Sequence, residues 1–509
     1  MSKNLCYISR NKQKENNMNL NELHIHEIFA IAKQNGIKNV KKYLKRQLIE
    51  MLEALELDNE VQDSDVFVDY ENASLVFMDE PPTDGYIVTC VLPNAPIHMP
   101  TIHALDNLAK EKNYRLVIYP VKWGTTEVNI QELPSIVQKY LVTANTSFAN
   151  TTIHGDLNIN ANAGQPLSQI AGFAADNNVV IPHPVVYAKT TAASSYKNVK
   201  ILMTTGTISD VEHSLVNSRV SATTKFHASL GGTVITSSNY PVVHYGYDKE
   251  LGGIQVEDQV FGANTSTRYE AIYLPDMHLA HPNPIYMHSL LTEIKTLKPG
   301  FAVGGDLFDG SALCHHEKNR LGWSQHKISL TKELHLLDSF ANTIHALTGQ
   351  NLRMIIGNHE TFADRFFSAN FFQELAMYDR EDSLLILEAL TEAFRGTTHT
   401  DAGVKYNSMI KHWVKDMSVT VVNSELSVGN TNLGHHGNEY NTRKAGVRQA
   451  NIKMVVGHVH APSIDRNLTC VGYGGHPEPT YQSGLTMSAP AHCLVSPSGK
   501  RTLKIYQYS

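Results

Sequence analysis

The sequence predicts an α/β protein: a layered α/β domain over residues 268–509, preceded by a mixed α/β domain and a small helical N-terminal module. Three observations carry this. From Arg268 onward, short apolar runs alternate with segments of helical period, the pattern of strands and helices in a layered sheet. Each of those apolar runs leads into a polar cluster of Asp, Asn or His. The chain has 509 residues, 42% hydrophobic and 18% charged, enough for more than one core.

Residues 1–19 are polar, lack the apolar segment of a secretory signal, and read as disordered, with Met18 a candidate initiator. Residues 20–58 read as a helical module. Leu23, Ile25, Ile28, Phe29 and Ala32 fall near helical spacing before a stop at Gly36, and Leu44, Leu48, Ile49, Leu52 and Leu55 share one face of a second helix. Lys33, Lys38, Lys41, Lys42, Lys45 and Arg46 crowd the link and the second helix. This helix, extended link and helix ending in LIEML resembles SAP-like DNA-binding modules, whose cations would hold phosphates without regard to sequence. The same pattern also describes a helical hairpin with a solvated basic face.

After the acidic linker ELDNEVQDSD comes the mixed domain, residues 66–265. DGYIVTCVLP, MPTIHALDNLAKEKN and YRLVIYPV predict a βαβ unit. Beyond residue 125 the runs NVVIPHPVVYA, NVKILMTTGT and GGTVITSS read as strands, with weak helical patterns at 167–175 and 211–218. The TTGT turn at 204–207, Arg219 and His227 read as turn and strand residues rather than as a site. In the last domain RYEAIYLPD, GFAVGGD and LRMIIGNHE predict strands running into loops. IYMHSLLTEIKTLK, TKELHLLDSFANTIHALTG and two stretches within 370–394 predict helices, and DMSVTVVNS, TNLGHHG and NIKMVVGHVH follow.

Composition narrows the function. A net charge of −6 gives no whole-molecule attraction to nucleic acid, so DNA binding would need a local basic patch or bound cations. No apolar run approaches the roughly 18 residues of a membrane span. Cys6, Cys90, Cys314, Cys470 and Cys493 are scattered, which argues against a disulfide framework or zinc knuckle and for a cytoplasmic setting.

The chemistry lies in five clusters: Asp276-Met-His278, Gly305-Asp306-Leu-Phe-Asp309, Gly357-Asn358-His359-Glu360, His435-His436-Gly437 and Gly457-His458-Val-His460. Phosphodiesters are anionic and resist water, so their hydrolysis calls for positive charge and a deprotonated nucleophile. Two divalent ions about 3.5–4 Å apart supply both, and need mixed oxygen and imidazole ligands. Strand alternation would aim Asp276 with His278, and His458 with His460, the same way. Gly305, Gly357 and Gly457 would let the backbone turn tightly beside the ions. His281 and the Cys314-His315-His316 trio read as loop residues rather than ligands.

As an ordered set, D-x-H, GDxxD, GNHE, H and GHxH over residues 268–509 resemble the calcineurin-like metallophosphoesterase superfamily. The resemblance implies a four-layer α/β/β/α sandwich and two divalent metal ions, Mn²⁺ foremost, with Fe²⁺, Zn²⁺ or Mg²⁺ as alternatives. It implies that Asp276, His278, Asp306 and His460 bind the first ion. Asp306, Asn358, His458 and one of His435 or His436 would bind the second, His436 being preferred because it directly precedes Gly. A hydroxide bridging the ions would attack the phosphodiester, His359 would stabilise the transition state or protonate the leaving oxygen, and Asp309 and Glu360 would orient ligands.

DMHLAH and GGDLFD resemble the SbcD-type DNA nuclease branch, and Gly310 stands where protein Ser/Thr phosphatases carry Arg. The layout also resembles tailed-bacteriophage proteins that degrade host DNA. That implies DNA as partner, a host bacterial cytoplasm, and phage or host proteins as further partners; a homo-oligomer is a separate expectation. The insertion carrying Lys318, Arg320, Trp323 and His326 reads equally as a DNA contact or a plain surface loop. Two alternatives stay open: a phosphatase or pyrophosphatase acting on nucleotides or phosphoproteins, and an inactive DNA-binding scaffold.

Overall fold

The computed structural model describes residues 83–508 apart from internal stretches, chiefly 158–165, 213–226, 314–327, 365–374, 438–451 and 477–484. The expected N-terminal module with Lys33, Lys38, Lys41, Lys42, Lys45 and Arg46 lies outside the described residues, as do Arg219, the Cys314-His315-His316 trio, Lys318, Arg320, Trp323 and His326.

The βαβ unit forms as its pattern predicts. Gly85–Val91 and Tyr114–Pro120 pair in parallel, Gly85 opposite Tyr114 and Val91 opposite Pro120, across the helix Met99–Glu111. That helix starts where the His98 side chain accepts from Thr101 N, and it buries Ile102, Leu105 and Leu108 against the strands. An antiparallel meander of Gly231–Thr236, Val242–Asp248, Gly253–Val256, Gln259–Phe261 and Thr265–Ser266 extends the pair into a seven-stranded sheet.

A central sheet of six strands follows. Ala271–Tyr273, Phe301–Gly304, Leu352–Ile355 and Val419–Val422 run parallel, and Ala491–Val495 and Arg501–Ile505 complete it as an antiparallel hairpin beside Ala271–Tyr273. Parallel neighbours need crossovers, and the helices Pro284–Leu297 and Leu330–Thr348 supply the first two. With Arg380–Arg395 and Met409–Trp413 they bury Leu290, Ile294, Leu337, Ile344, Ile386 and Ile410 in one core with Ile272, Ala302 and Met354 of the sheet. Caps fix where these helices begin: Asn283 accepts from Tyr286 N, Ser329 from Lys332 N and Asp379 from Asp382 N.

The opposite face of the central sheet, Ala271, Tyr273, Val303 and Ile355, shares a second core with Val180, Ala188, Met203 and Val455 of a broad ten-stranded sheet. That sheet joins distant parts of the chain. Thr146–Phe148, Thr151–Ile153, Asn178–Ile181, Ile201–Thr204 and Tyr187–Thr190 supply one side. Ser463–Asp465, Leu468–Cys470, Lys453–Val456, Thr431–Asn432 and Ser427–Val428 supply the other. The seam is antiparallel, with Ile464 opposite Ala188. A short helix, Pro166–Gln169, stands where a longer stretch is expected, and Leu167 and Ile170 pack on Val179, Ile181 and Leu202 at the far face. The protein is thus a mixed α/β fold with three large mixed sheets and, among the described residues, seven α-helices. Among the described residues no helix is long and apolar enough to cross a membrane.

Candidate metal centre

Five loops meet where the central and broad sheets present the ends of their parallel strands, the edge where functional groups collect in such sheets. Asp276 follows Ala271–Tyr273, Asp306 follows Phe301–Gly304, and Asn358 follows Leu352–Ile355. From the broad sheet, His436 follows Thr431–Asn432 and His458 follows Lys453–Val456.

Asp276, His278, Asp306 and His436 are all buried. His436 Nε2 lies 2.9 Å from Asp306 Oδ2, and His436 Nδ1 lies 3.8 Å from Asp276 Oδ1. His460 Nε2 lies 3.5 Å from Asp276 Oδ2, and His458 Nδ1 is 2.9 Å from Asn358 Oδ1. Despite this crowding, both oxygens of Asp276, Nε2 of His278 and both ring nitrogens of His436 are buried without an aligned hydrogen bond. Buried polar atoms are normally satisfied, and a cluster of them left in this state could hold a metal ion. Oxygen and imidazole donors in this mixture suit a divalent transition metal.

The electrostatics agree. Burial alone would raise Asp306, but His436, His359 and His278 hold it well below the usual carboxylate range. Burial opposes charge on His436, yet Asp306 and Asp276 push it up to about 10. Burial raises Asp276 to about 7. The pocket therefore draws in positive charge and, without a metal, retains a proton for it.

The backbone is shaped for this convergence. His278, Asp306 and His458 adopt φ of 44°, 45° and 64°, a left-handed conformation costly for side chains of this size and typical of functional sites. This corrects the expected strand alternation: Asp276 with His278, and His458 with His460, sit beyond their strands, and left-handed turns aim them. The glycines are also needed for a different reason. None of Gly305, Gly357 and Gly457 has positive φ. A Cβ on Gly457 would lie 2.2 Å from Asp276 Oδ1, one on Gly357 2.2 Å from Asp306 Oδ1, and one on Gly305 2.6 Å from His436 Nδ1. They permit close approach, not sharp turning.

Around this group lies a supporting layer. His278 Nδ1 is 2.6 Å from Asp309 Oδ1, and His359 Nδ1 is 2.6 Å from the Asp309 carbonyl oxygen. The two imidazoles meet edge to face with centroids 4.4 Å apart. His359 N donates to Asp306 Oδ1 at 3.1 Å. Burial lowers His359, His458 and, further, His460, which stacks on Tyr473 at 4.4 Å. Glu360 is buried and accepts from the backbone N–H groups of Asp306, Leu307, Phe308 and Gly357 at 2.9–3.2 Å, bracing both loops at once.

Two groupings bring ligand atoms within 4.8 Å of one another: His278, Asp309 and His359, and Asp306, His436 and His458. In the first, Asp309 already engages Nδ1 of both histidines, so Nε2 is the nitrogen left to each. His435 meets the site through its backbone, whose carbonyl accepts from Tyr273 Oη at 2.8 Å, whereas the ring beside both aspartates is that of His436. His281 N donates to His278 O at 2.9 Å, within the turn. The TTGT turn at 204–207 lies apart, its threonines holding backbone groups such as Tyr187 N and the Cys90 carbonyl.

Sequence reasoning missed Glu333. Buried in the first turn of Leu330–Thr348, it accepts from Gly310 N at 2.9 Å, Ala312 N at 3.2 Å and Ser311 Oγ at 2.5 Å, fixing the turn after Asp309. Asp382, on the helix Arg380–Arg395, in turn accepts from Leu330 N, Thr331 N and Thr331 Oγ1. An acidic residue in a helix's first turn is too common to single out. Comparison with known proteins supplies no relative: no family model, no curated protein and no solved structure matches the chain.

Proposed function

We propose that the chain is a two-metal-dependent phosphodiesterase of the calcineurin-like metallophosphoesterase type, acting as a DNA nuclease with Mn²⁺ as the leading cation. The observation that carries this reading is the set of buried Asp276, His278 and His436 atoms without an aligned hydrogen bond, with the His436 ring held against Asp306. Asp276, His278, Asp306 and His460 would hold one ion, and Asp306, Asn358, His436 and His458 the other. Bound there, divalent ions would offset phosphoryl charge and acidify water. A helical layer, two sheets sharing one core, and a short helix on the far face are in keeping with a four-layer sandwich.

The chain's own groups divide the remaining work. Asp309 orients His278 and, through its carbonyl, His359. His359 is partly exposed, at 19%, so it can reach a substrate while its Nδ1 is fixed. Burial makes its imidazolium a readier acid, which suits proton delivery from Nε2 to a leaving oxygen. Gly310 offers no side chain to grip a phosphomonoester. A Cβ there would come 3.0 Å from Phe362 and 3.1 Å from the His359 carbonyl, at φ of 62°. That favours a diester held by other means, with the basic stretch around Lys38–Arg46 the candidate DNA contact.

The test is a matrix of Mn²⁺, Mg²⁺, Zn²⁺ and Fe²⁺ against linear duplex DNA, single-stranded DNA and a small phosphomonoester, with Asp306→Asn as control. Metal-dependent DNA cleavage lost in Asp306→Asn is expected. Intact DNA beside a cleaved monoester would replace the nuclease with a phosphatase. Activity unchanged by Asp306→Asn would remove the site.

A further inference from the structure

A polar cavity lies at the other end of the strands. Ala271 pairs with Val495 and Tyr273 with Cys493, so the 496–500 turn sits off the start of the strand whose far end leads to Asp276. Lys453 likewise opens the strand that leads to His458. Asp248, the last residue of Val242–Asp248, brings the third sheet to the same place, where Ser496 Oγ and Ser498 Oγ donate to its Oδ2. The cavity at this junction measures about 270 Å³, and Asp248, Lys249, Asn430, Lys453, Ser498 and Lys500 are among its walls.

Its charges divide into engaged and unengaged groups. Asp248 also accepts from Glu250 N at 3.0 Å and Leu251 N at 3.3 Å. Lys249 pairs with Glu212 at 2.9 Å. Arg501, beside the cavity, donates to the carbonyls of Met454, Arg466 and Asn467. Asp210 contributes a further carboxylate, and Glu250 another from an exposed rim position. Among the described residues, the ammonium groups of Lys453 and Lys500 have neither an ion pair nor a hydrogen bond. The Lys500 side chain runs close against Gly246, where a Cβ would lie 2.3 Å from its Cε. Burial and then the charge of Lys453 push Lys500 down to about 8, and burial lowers Lys453. Partly buried cations without partners are costly, and a bound anion removes that cost.

We infer that this cavity binds a small dianionic oxyanion, phosphate either free or as the terminal group of a mononucleotide, between Lys453 and Lys500. The volume suits such a ligand, falling below the roughly 300–1,000 Å³ of sites for larger organic molecules. The inference does not depend on the metal centre.

The test is calorimetric titration of the full chain, kept metal-free with chelator so that phosphate at the His/Asp cluster is not read. Inorganic phosphate and a 5′-mononucleotide are compared with chloride at equal ionic strength. Saturable 1:1 binding is expected, weakened about tenfold or more in Lys453→Met and in Lys500→Met, as loss of a charge-assisted contact implies. Tighter binding of the mononucleotide assigns the site to nucleotides, and equal binding assigns it to the free ion. No saturable binding beyond chloride, or undiminished binding in both variants, overturns the site. Should Lys500→Met fail to fold, reductive methylation of the wild-type chain decides. Lys500 is expected to be protected by saturating phosphate, and unchanged labelling rejects the proposal.

Discussion

His278 Nδ1 lies 2.6 Å from Asp309 Oδ1, and this contact decides which edge of the imidazole faces the cluster. With Nδ1–H given to the carboxylate, the lone pair falls on Nε2, the buried nitrogen that has no hydrogen-bond partner. Asp309→Ala should therefore weaken Mn²⁺ binding about 10–100-fold, the usual cost of losing such a partner. Calorimetry beside far-UV circular dichroism checks this, and unchanged affinity in a folded variant would remove the orienting role.

Two glycines separate close approach from backbone strain. Gly457→Ala sets a Cβ 2.2 Å from Asp276 Oδ1, so metal binding should be lost along with about 1–3 kcal/mol of stability. Gly349→Ala meets nothing within 4 Å but must hold φ of 74°, so it should cost about 1–2 kcal/mol and leave metal binding intact. Urea midpoints with parallel metal titrations distinguish the two. Normal metal affinity in Gly457→Ala would refute the packing against Asp276.

Glu333 reaches the centre only through the turn it holds. Glu333→Ala leaves Gly310 N and Ala312 N without their acceptor, at about 1–3 kcal/mol for a buried group so stripped. Glu333→Gln keeps one oxygen acceptor and should lose less. Chemical denaturation of both variants gives the order, and equal losses would show that the turn is held by other contacts.

A pH effect follows from His244, buried with Ser229 Oγ 3.2 Å from its Nε2. Burial and then Lys500 push it down from 6.5 to about 3, so the folded chain keeps it neutral. Between those values the unfolded chain binds the extra proton. Stability should fall as pH drops below about 6.5, with a slope from this residue of at most about 1.4 kcal/mol per unit, levelling near 3. His244→Gln should flatten that limb in urea midpoints measured between pH 7 and 4. An unaltered limb would place the effect on another group.

The local architecture was legible in the sequence because its signals are local. The βαβ unit and the helices Pro284–Leu297 and Leu330–Thr348 declare themselves by apolar period. The cluster order was legible because each motif sits just past an apolar strand. The aiming of Asp276 and His278 was misread, since alternation assumes that a strand continues where φ of 44° at His278 turns the chain. Glu333 and Tyr473 were missed because their roles depend on contacts that sequence spacing does not encode. The broad sheet was illegible for the same reason, as nothing near Tyr187 in sequence announces Asp465 as its neighbour.

That pairing of Tyr187–Thr190 with Ser463–Asp465 has a consequence for biosynthesis. During translation the earlier strand leaves the ribosome long before its partner exists, with an open edge able to pair with whatever strand it meets. Completion of the sheet must wait until residues 463–465 are made, a high-contact-order step that slows maturation and exposes nascent chains to aggregation. A truncated product ending near residue 265 would keep that edge permanently uncovered.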